Sequence, residues 1–184
     1  MQASALRTSC LAAALLMMSG VAACTTAPTT QSDRVELEAS AAGAVSRAKA
    51  ADPSMATILN SADSYAVFPT VGKAAVAIGG AYGKGVVYEH GVFVGYCDLT
   101  QASIGLALGG QAYTEIIVFK TPEALKRFKA GSFAFDAQAT AVAVRSGSGA
   151  NAKFDHGVAV FTMNEAGLMG EASVGGQKFS YQPR

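Results

Sequence analysis

GKAAVAIGGAYGKGVVYEHGVFVGYCDLTQASIGLALGGQAYTE, residues 72–115, aligns without a gap to QATAVAVRSGSGANAKFDHGVAVFTMNEAGLMGEASVGGQKFSY, residues 138–181. Eleven of the 44 pairs are identical. Ala and Gly richness inflates scattered identity, but not contiguous runs such as His90-Gly91-Val92 with His156-Gly157-Val158, or Gly109-Gly110-Gln111 with Gly175-Gly176-Gln177. A shift without gaps keeps the side-chain alternation of every strand in phase, so the pattern reads as an internal duplication.

Each unit reads as a meander of short strands. In the first unit they are expected near 73–79, 85–89, 91–97, 103–109 and 112–119, with turns at His90-Gly91, Asp98 to Gln101 and Gly109-Gly110. A short strand from Tyr65 to Phe68 precedes them, ended by Pro69. Upstream, Leu37, Ala41, Ala44 or Val45, and Ala48 recur at helical spacing from Asp33 on. Asp52-Pro53 then restarts a helix with Met55, Ile58 and Leu59 on its apolar side. Between the units, Thr121-Pro122-Glu123 opens a helix that turns Leu125 and Phe128 inward and Lys126, Arg127 and Lys129 outward. The expected fold is α+β: a duplicated antiparallel β meander forming a sandwich or barrel, covered by the N-terminal and junction helices.

The first 23 residues read as a signal peptide. Arg7 supplies a positive n-region, Leu11 to Met18 a short apolar run, and Val21-Ala22-Ala23 small residues before Cys24. That block is a bacterial lipoprotein signal, with Cys24 as the acylated thiol. The apolar run falls short of the roughly 20 residues a transmembrane helix needs. Residues 24–32 then form a lipid-anchored tether, polar and Pro-containing, and residues 33–184 the globular domain. Thr25 stands where an inner-membrane retention signal would put Asp, which points to the outer membrane, facing the periplasm.

Half of the chain, 51%, is apolar, which excludes general disorder. Fourteen Lys and Arg against thirteen Asp and Glu lack the basic excess of a nucleic-acid binder, and loss of the signal peptide removes Arg7 and leaves the signs balanced. Of the three cysteines, Cys10 leaves with the signal peptide and Cys24 carries lipid, so Cys97 has no intramolecular disulfide partner.

The catalytic readings are weak. Gly79-Gly80-Ala81-Tyr82-Gly83-Lys84-Gly85 lacks the spacing, the hydroxyl residue after Lys and the helix of a phosphate loop, and reads as a hairpin or bulge. His90 and His156 occupy equivalent turn positions beside Glu89 and Asp155, with no further ligands at useful spacing for a metal. Cys97 becomes a nucleophile only if the fold brings a histidine to it. No enzyme activity and no cofactor are expected.

Ser64-Tyr65-Ala66-Val67-Phe68-Pro69, Gly83-Lys84-Gly85-Val86, Ser103-Ile104-Gly105, Gly109-Gly110-Gln111 and the closing Gly170-Glu171-Ala172-Ser173-Val174-Gly175-Gly176 together resemble the SYLF domain over about residues 35 to 181. The resemblance implies a non-enzymatic lipid-binding module, and its bacterial members are secreted lipoproteins. Where many eukaryotic members carry an aromatic-Ser-Pro turn, this chain has Tyr96-Cys97-Asp98-Leu99. The expected partner is membrane phospholipid with anionic headgroups, contacted by Lys73, Lys84, Lys126, Arg127 and Lys129. The competing expectation is a structural or partner-binding envelope lipoprotein whose domain holds no lipid.

Overall fold

A computed structural model describes residues 26–76, 78–104, 109–131, 141–164 and 176–184. Helix α1 (Gln31–Ala51) starts where the Thr30 side chain accepts a hydrogen bond from the Asp33 amide, and α2 (Ser54–Ser61) follows after a break at Asp52-Pro53. Four long strands come next: β1 (Ser64–Val76), β2 (Ile78–Glu89), β3 (Val92–Ile104) and β4 (Gly109–Phe119). Helix α3 (Pro122–Lys129) is capped by Thr121 and followed by β5 (Val142–Ala143), a 3₁₀ turn at Gly149–Asn151, β6 (Val158–Asn164) and β7 (Gln177–Pro183).

All seven strands form one sheet in the order β5-β6-β4-β1-β2-β3-β7, antiparallel except for the short β5–β6 pairing. The α+β class therefore holds, but the sheet does not close into a barrel. It curls instead. The Phe68 ring in β1 lies 6.0 Å from the Phe179 ring in β7, although β2 and β3 separate the two strands in the sheet. A flat sheet would hold strands three places apart at roughly 14 Å. The hollow face is filled by Phe68, Leu99, Ile117 and Phe179, and α3 plugs it with Phe128, whose ring is 5.1 Å from Phe119 and 5.0 Å from Phe179. The opposite face packs Val67, Val86, Ile116 and Phe161 under α1 and α2. Helix α1 buries only Ala41, Ala44 and Ala48, so its fit depends on short side chains. A hydrogen bond from the Tyr96 hydroxyl to Glu38 Oε1 at 2.7 Å adds to that contact.

Several expected boundaries are corrected. The strand from Tyr65 does not stop at Pro69: β1 runs through it on a bulge that shifts the β1–β2 register between Val67 and Thr70. Proline has no N–H to give the ladder, so the strand steps past it. The Pro69 carbonyl is taken by Thr114 Oγ1 at 2.7 Å. Gly85 lies against this bulge, where a Cβ would fall 2.6 Å from the Val67 carbonyl oxygen and 2.7 Å from the Phe68 ring. Gly79 to Gly85 is uninterrupted β2. Asp98 to Gln101 is no turn either, because β2 pairs with it on one side and β7 on the other, and two ladders outweigh local turn preference. Gly109-Gly110 opens β4 instead of turning.

The two aligned segments share one turn conformation. His90-Gly91 and His156-Gly157 adopt the same left-handed pair, with φ of 51° and 78° in the first and 47° and 81° in the second. Each turn leads into a strand, β3 or β6. The counterpart of β2, however, contains the 3₁₀ turn and loop around Gly149–Asn151, and β5 pairs directly with β6, whereas the strands at the corresponding positions of the first unit, β1 and β3, are separated by β2. The two units therefore do not repeat one strand order. Val86 and Val87, both buried in β2, give way to Ala152 and Lys153, so the second segment has fewer large apolar side chains to bury. Ala77, residues 105–108 and Gly175 lie outside the described residues.

Candidate functional site

The cations expected to meet lipid do not form one patch. On α3, Lys126 and Arg127 are exposed, and the Arg127 guanidinium reaches the His156 carbonyl at 3.4 Å. Lys129 turns back to pair with Glu89 Oε2 at 2.8 Å and lies over the Tyr181 ring, 5.3 Å from its centre. Its charge is thus matched within the fold. Lys73 sits in β1, in register with Ala81 and Gln111. Lys84, on β2, donates from Nζ to the Thr26 carbonyl at 3.0 Å.

That last contact belongs to a clasp the sequence did not signal. The Ala27 amide donates to Gln182 Oε1 at 3.1 Å, Ala27 itself is buried, and Arg34 Nε donates to the Pro28 carbonyl at 2.9 Å. The Arg34 guanidinium also lies 5.7 Å from the centre of the Tyr96 ring. From Thr26 onward the expected tether is therefore bound to the domain, and its free length is far shorter than the roughly 26 Å that eight extended residues span. A polar, aperiodic, Pro-containing stretch carries no pattern that distinguishes a docked segment from a free one. Cys24 lies outside the described residues.

A second group missed by the sequence reading lies in the hollow of the sheet. Glu115 on β4 and Gln177 on β7 are fully buried, and Gln177 Nε2 donates to Glu115 Oε2 at 3.0 Å. Tyr113, two residues along β4, has its hydroxyl pKa raised by burial and by the neighbouring Glu115. Gln101, in register with Gln177 across β3 and β7, is also buried. The signal was present in the repeated Gly-Gly-Gln block, whose second copy ends on Gln177.

The groups with catalytic potential are held apart. Cys97 is fully buried in the hollow-face core, and burial pushes its thiol pKa well up. His90 Nδ1 donates to the Asp63 carbonyl at 3.1 Å, and His156 Nδ1 lies 2.9 Å from Asp155 Oδ1; both imidazoles are exposed. Among the described residues no group of three His, Cys, Asp or Glu side chains is placed to hold a metal ion. Among the same residues no helix is long and apolar enough to cross a membrane.

Residues 100–183 match the family model described as Ysc84: Las17-binding protein actin regulator. The matched span begins within β3, ends with β7, and contains α3 and the whole Gln101, Tyr113, Glu115 and Gln177 group. No curated protein matches the chain.

Proposed function

Starting from a chain whose residues 100–183 belong to the Ysc84 (SYLF) family, we propose that it is a lipid-anchored cell-envelope protein whose domain contacts phospholipid without catalysing a reaction. The observation that carries this reading is the docking of Thr26 on Lys84, two residues after Cys24 in the sequence. The Val21-Ala22-Ala23-Cys24 block places the acylated thiol two residues before Thr26, and Thr26 is already held by Lys84. An acyl chain there brings the domain to the headgroups rather than suspending it above them. Several chains on one cysteine give stable anchoring where a single chain is marginal.

The sealed thiol of Cys97 and the separate exposed imidazoles of His90 and His156 support a binding role over a catalytic one. The family description names binding to a protein, Las17, and this favours a partner-binding lipoprotein as the second reading.

Intact mass measurement of the N-terminal peptide from membrane-extracted protein tests the anchor. The expected result is an acyl-modified Cys24, with Cys24→Ala left uncleaved at that site or released in soluble form. Cys24→Ala still cleaved there and partitioning into detergent rejects the anchor. Hydrogen exchange of the lipidated protein separates the two readings. Backbone amides protected in phospholipid vesicles but not in detergent micelles support lipid contact, and identical exchange in both favours the protein partner.

A further inference from the structure

Beyond the cover of α1, the outward face of β2, β3 and β7 carries side chains in rows. Tyr82, Thr100 and Lys178 are aligned in one row, and Lys84, Asp98 and Ser180 in the next. In the row after that, Val86, Tyr96 and Gln182, the sheet is covered by the N-terminal clasp and α1. Thr100, Lys178 and Ser180 are exposed, and Tyr82 keeps 48% of its surface in solvent. A large aromatic side chain standing in mid-strand on an uncovered sheet face is not explained by packing.

We propose that this face, centred on Tyr82 and flanked by Lys84 and Lys178, is the surface by which the domain lies on an anionic bilayer; the inference rests on acylation of Cys24. Two observations select a lipid surface as the occupant. First, Lys84 binds the Thr26 carbonyl, so Cys24 lies within about 7 Å of Thr26 along the chain and its acyl groups enter the membrane beside this face. Second, the charge is complementary: Lys84, Lys178 and Arg34 border the face against Asp98, while Glu38 accepts the Tyr96 hydroxyl. Tyrosine suits the headgroup region, with its ring toward the acyl chains and its hydroxyl toward water, and the exposed Lys178 beside it extends to phosphate. Helix α3 exposes Lys126 and Arg127 but buries its aromatic residue, Phe128, and turns Lys129 back to Glu89.

The chain has no tryptophan, so one introduced indole reports its own surroundings. Lipidated full-length Tyr82→Trp, Thr100→Trp and Lys126→Trp proteins are reconstituted into phosphatidylglycerol–phosphatidylcholine vesicles, with and without bromine on the acyl chains. Flotation with the vesicles reads anchoring, and quenching reads orientation. The expected result is blue-shifted emission, lost with brominated lipid, for Tyr82→Trp and Thr100→Trp, and unshifted, unquenched emission for Lys126→Trp. Thr100→Trp reports the same row if Tyr82→Trp perturbs the strand. Quenching of Lys126→Trp alone overturns the proposal and makes α3 the contact. Floating protein with no reporter quenched also overturns it, since the domain then stands clear of the lipid. Protein that fails to float overturns the anchor itself, and the inference falls with it.

Discussion

Gln177 Nε2 donates to Glu115 Oε2 at 3.0 Å, although β1, β2 and β3 lie between their strands in the sheet. Neighbouring strands are about 4.8 Å apart, so four steps on a flat sheet would separate β4 from β7 by roughly 19 Å. The contact exists because the sheet coils until its β7 edge faces β4 across the hollow. The pair therefore joins two distant parts of one sheet through side chains, where no backbone ladder reaches.

Replacing the amide tests this closure. Gln177→Leu keeps much of the volume but removes the amide that donates to the buried Glu115 carboxyl. The expected loss is about 2–4 kcal/mol, read as a lower urea midpoint. A variant as stable as the parent would show that the coil is held by Phe68, Phe128 and Phe179 alone.

Asp52 gives the fold an acid-sensitive joint. Its Oδ2 accepts the Gly149 amide at 2.7 Å, and its Oδ1 accepts the Ser54 amide at 3.0 Å and hydroxyl at 2.8 Å, tying the α1–α2 break to the 3₁₀ turn. The Gly149 bond, more than the Ser54 bonds, holds the carboxyl pKa below its ordinary value, against the opposing effect of burial. A lowered folded pKa means that the stabilisation is fully present above the unfolded value of about 3.9 and is lost as pH falls through the folded one. Asp52→Asn should cost about 1.5–3 kcal/mol at pH 7 and flatten the stability profile below about pH 4. Denaturant titrations at several pH values read both effects.

Cys97 should resist thiol reagents for as long as the fold persists. It is fully buried, and the desolvated thiol is held well above its ordinary pKa, so reactive thiolate is scarce. Reaction with an aromatic disulfide reagent is expected only in denaturant, or at the rate of unfolding. Fast labelling of native protein would contradict the closed hollow.

Neutralising the α3 cations should matter less than their number suggests. Three free cations near an anionic surface are worth roughly 3 kcal/mol, about a hundredfold in partition. Lys129 is already matched by Glu89. The triple change Lys126→Ala, Arg127→Ala and Lys129→Ala should weaken binding to anionic vesicles less than about tenfold, measured with the full chain carrying Cys24→Ala so that acylation does not mask the effect. A hundredfold loss would restore α3 as the lipid contact.

Local chemistry was legible in the sequence wherever neighbouring residues decide the outcome. Thr121-Pro122 starts α3, and His90-Gly91 and His156-Gly157 take left-handed turns. What required tertiary structure was every relation between distant segments. Asp98 to Gln101 has turn-forming residues yet is strand, because β2 and β7 both supply ladder partners. The Thr26 to Pro28 stretch is polar and aperiodic yet docks, because Lys84, Gln182 and Arg34 meet its backbone groups. Side-chain periodicity records which face a residue takes, but carries no information about which strands the sheet brings opposite one another. The coil of the sheet decided that, and with it the pairing of Gln177 with Glu115.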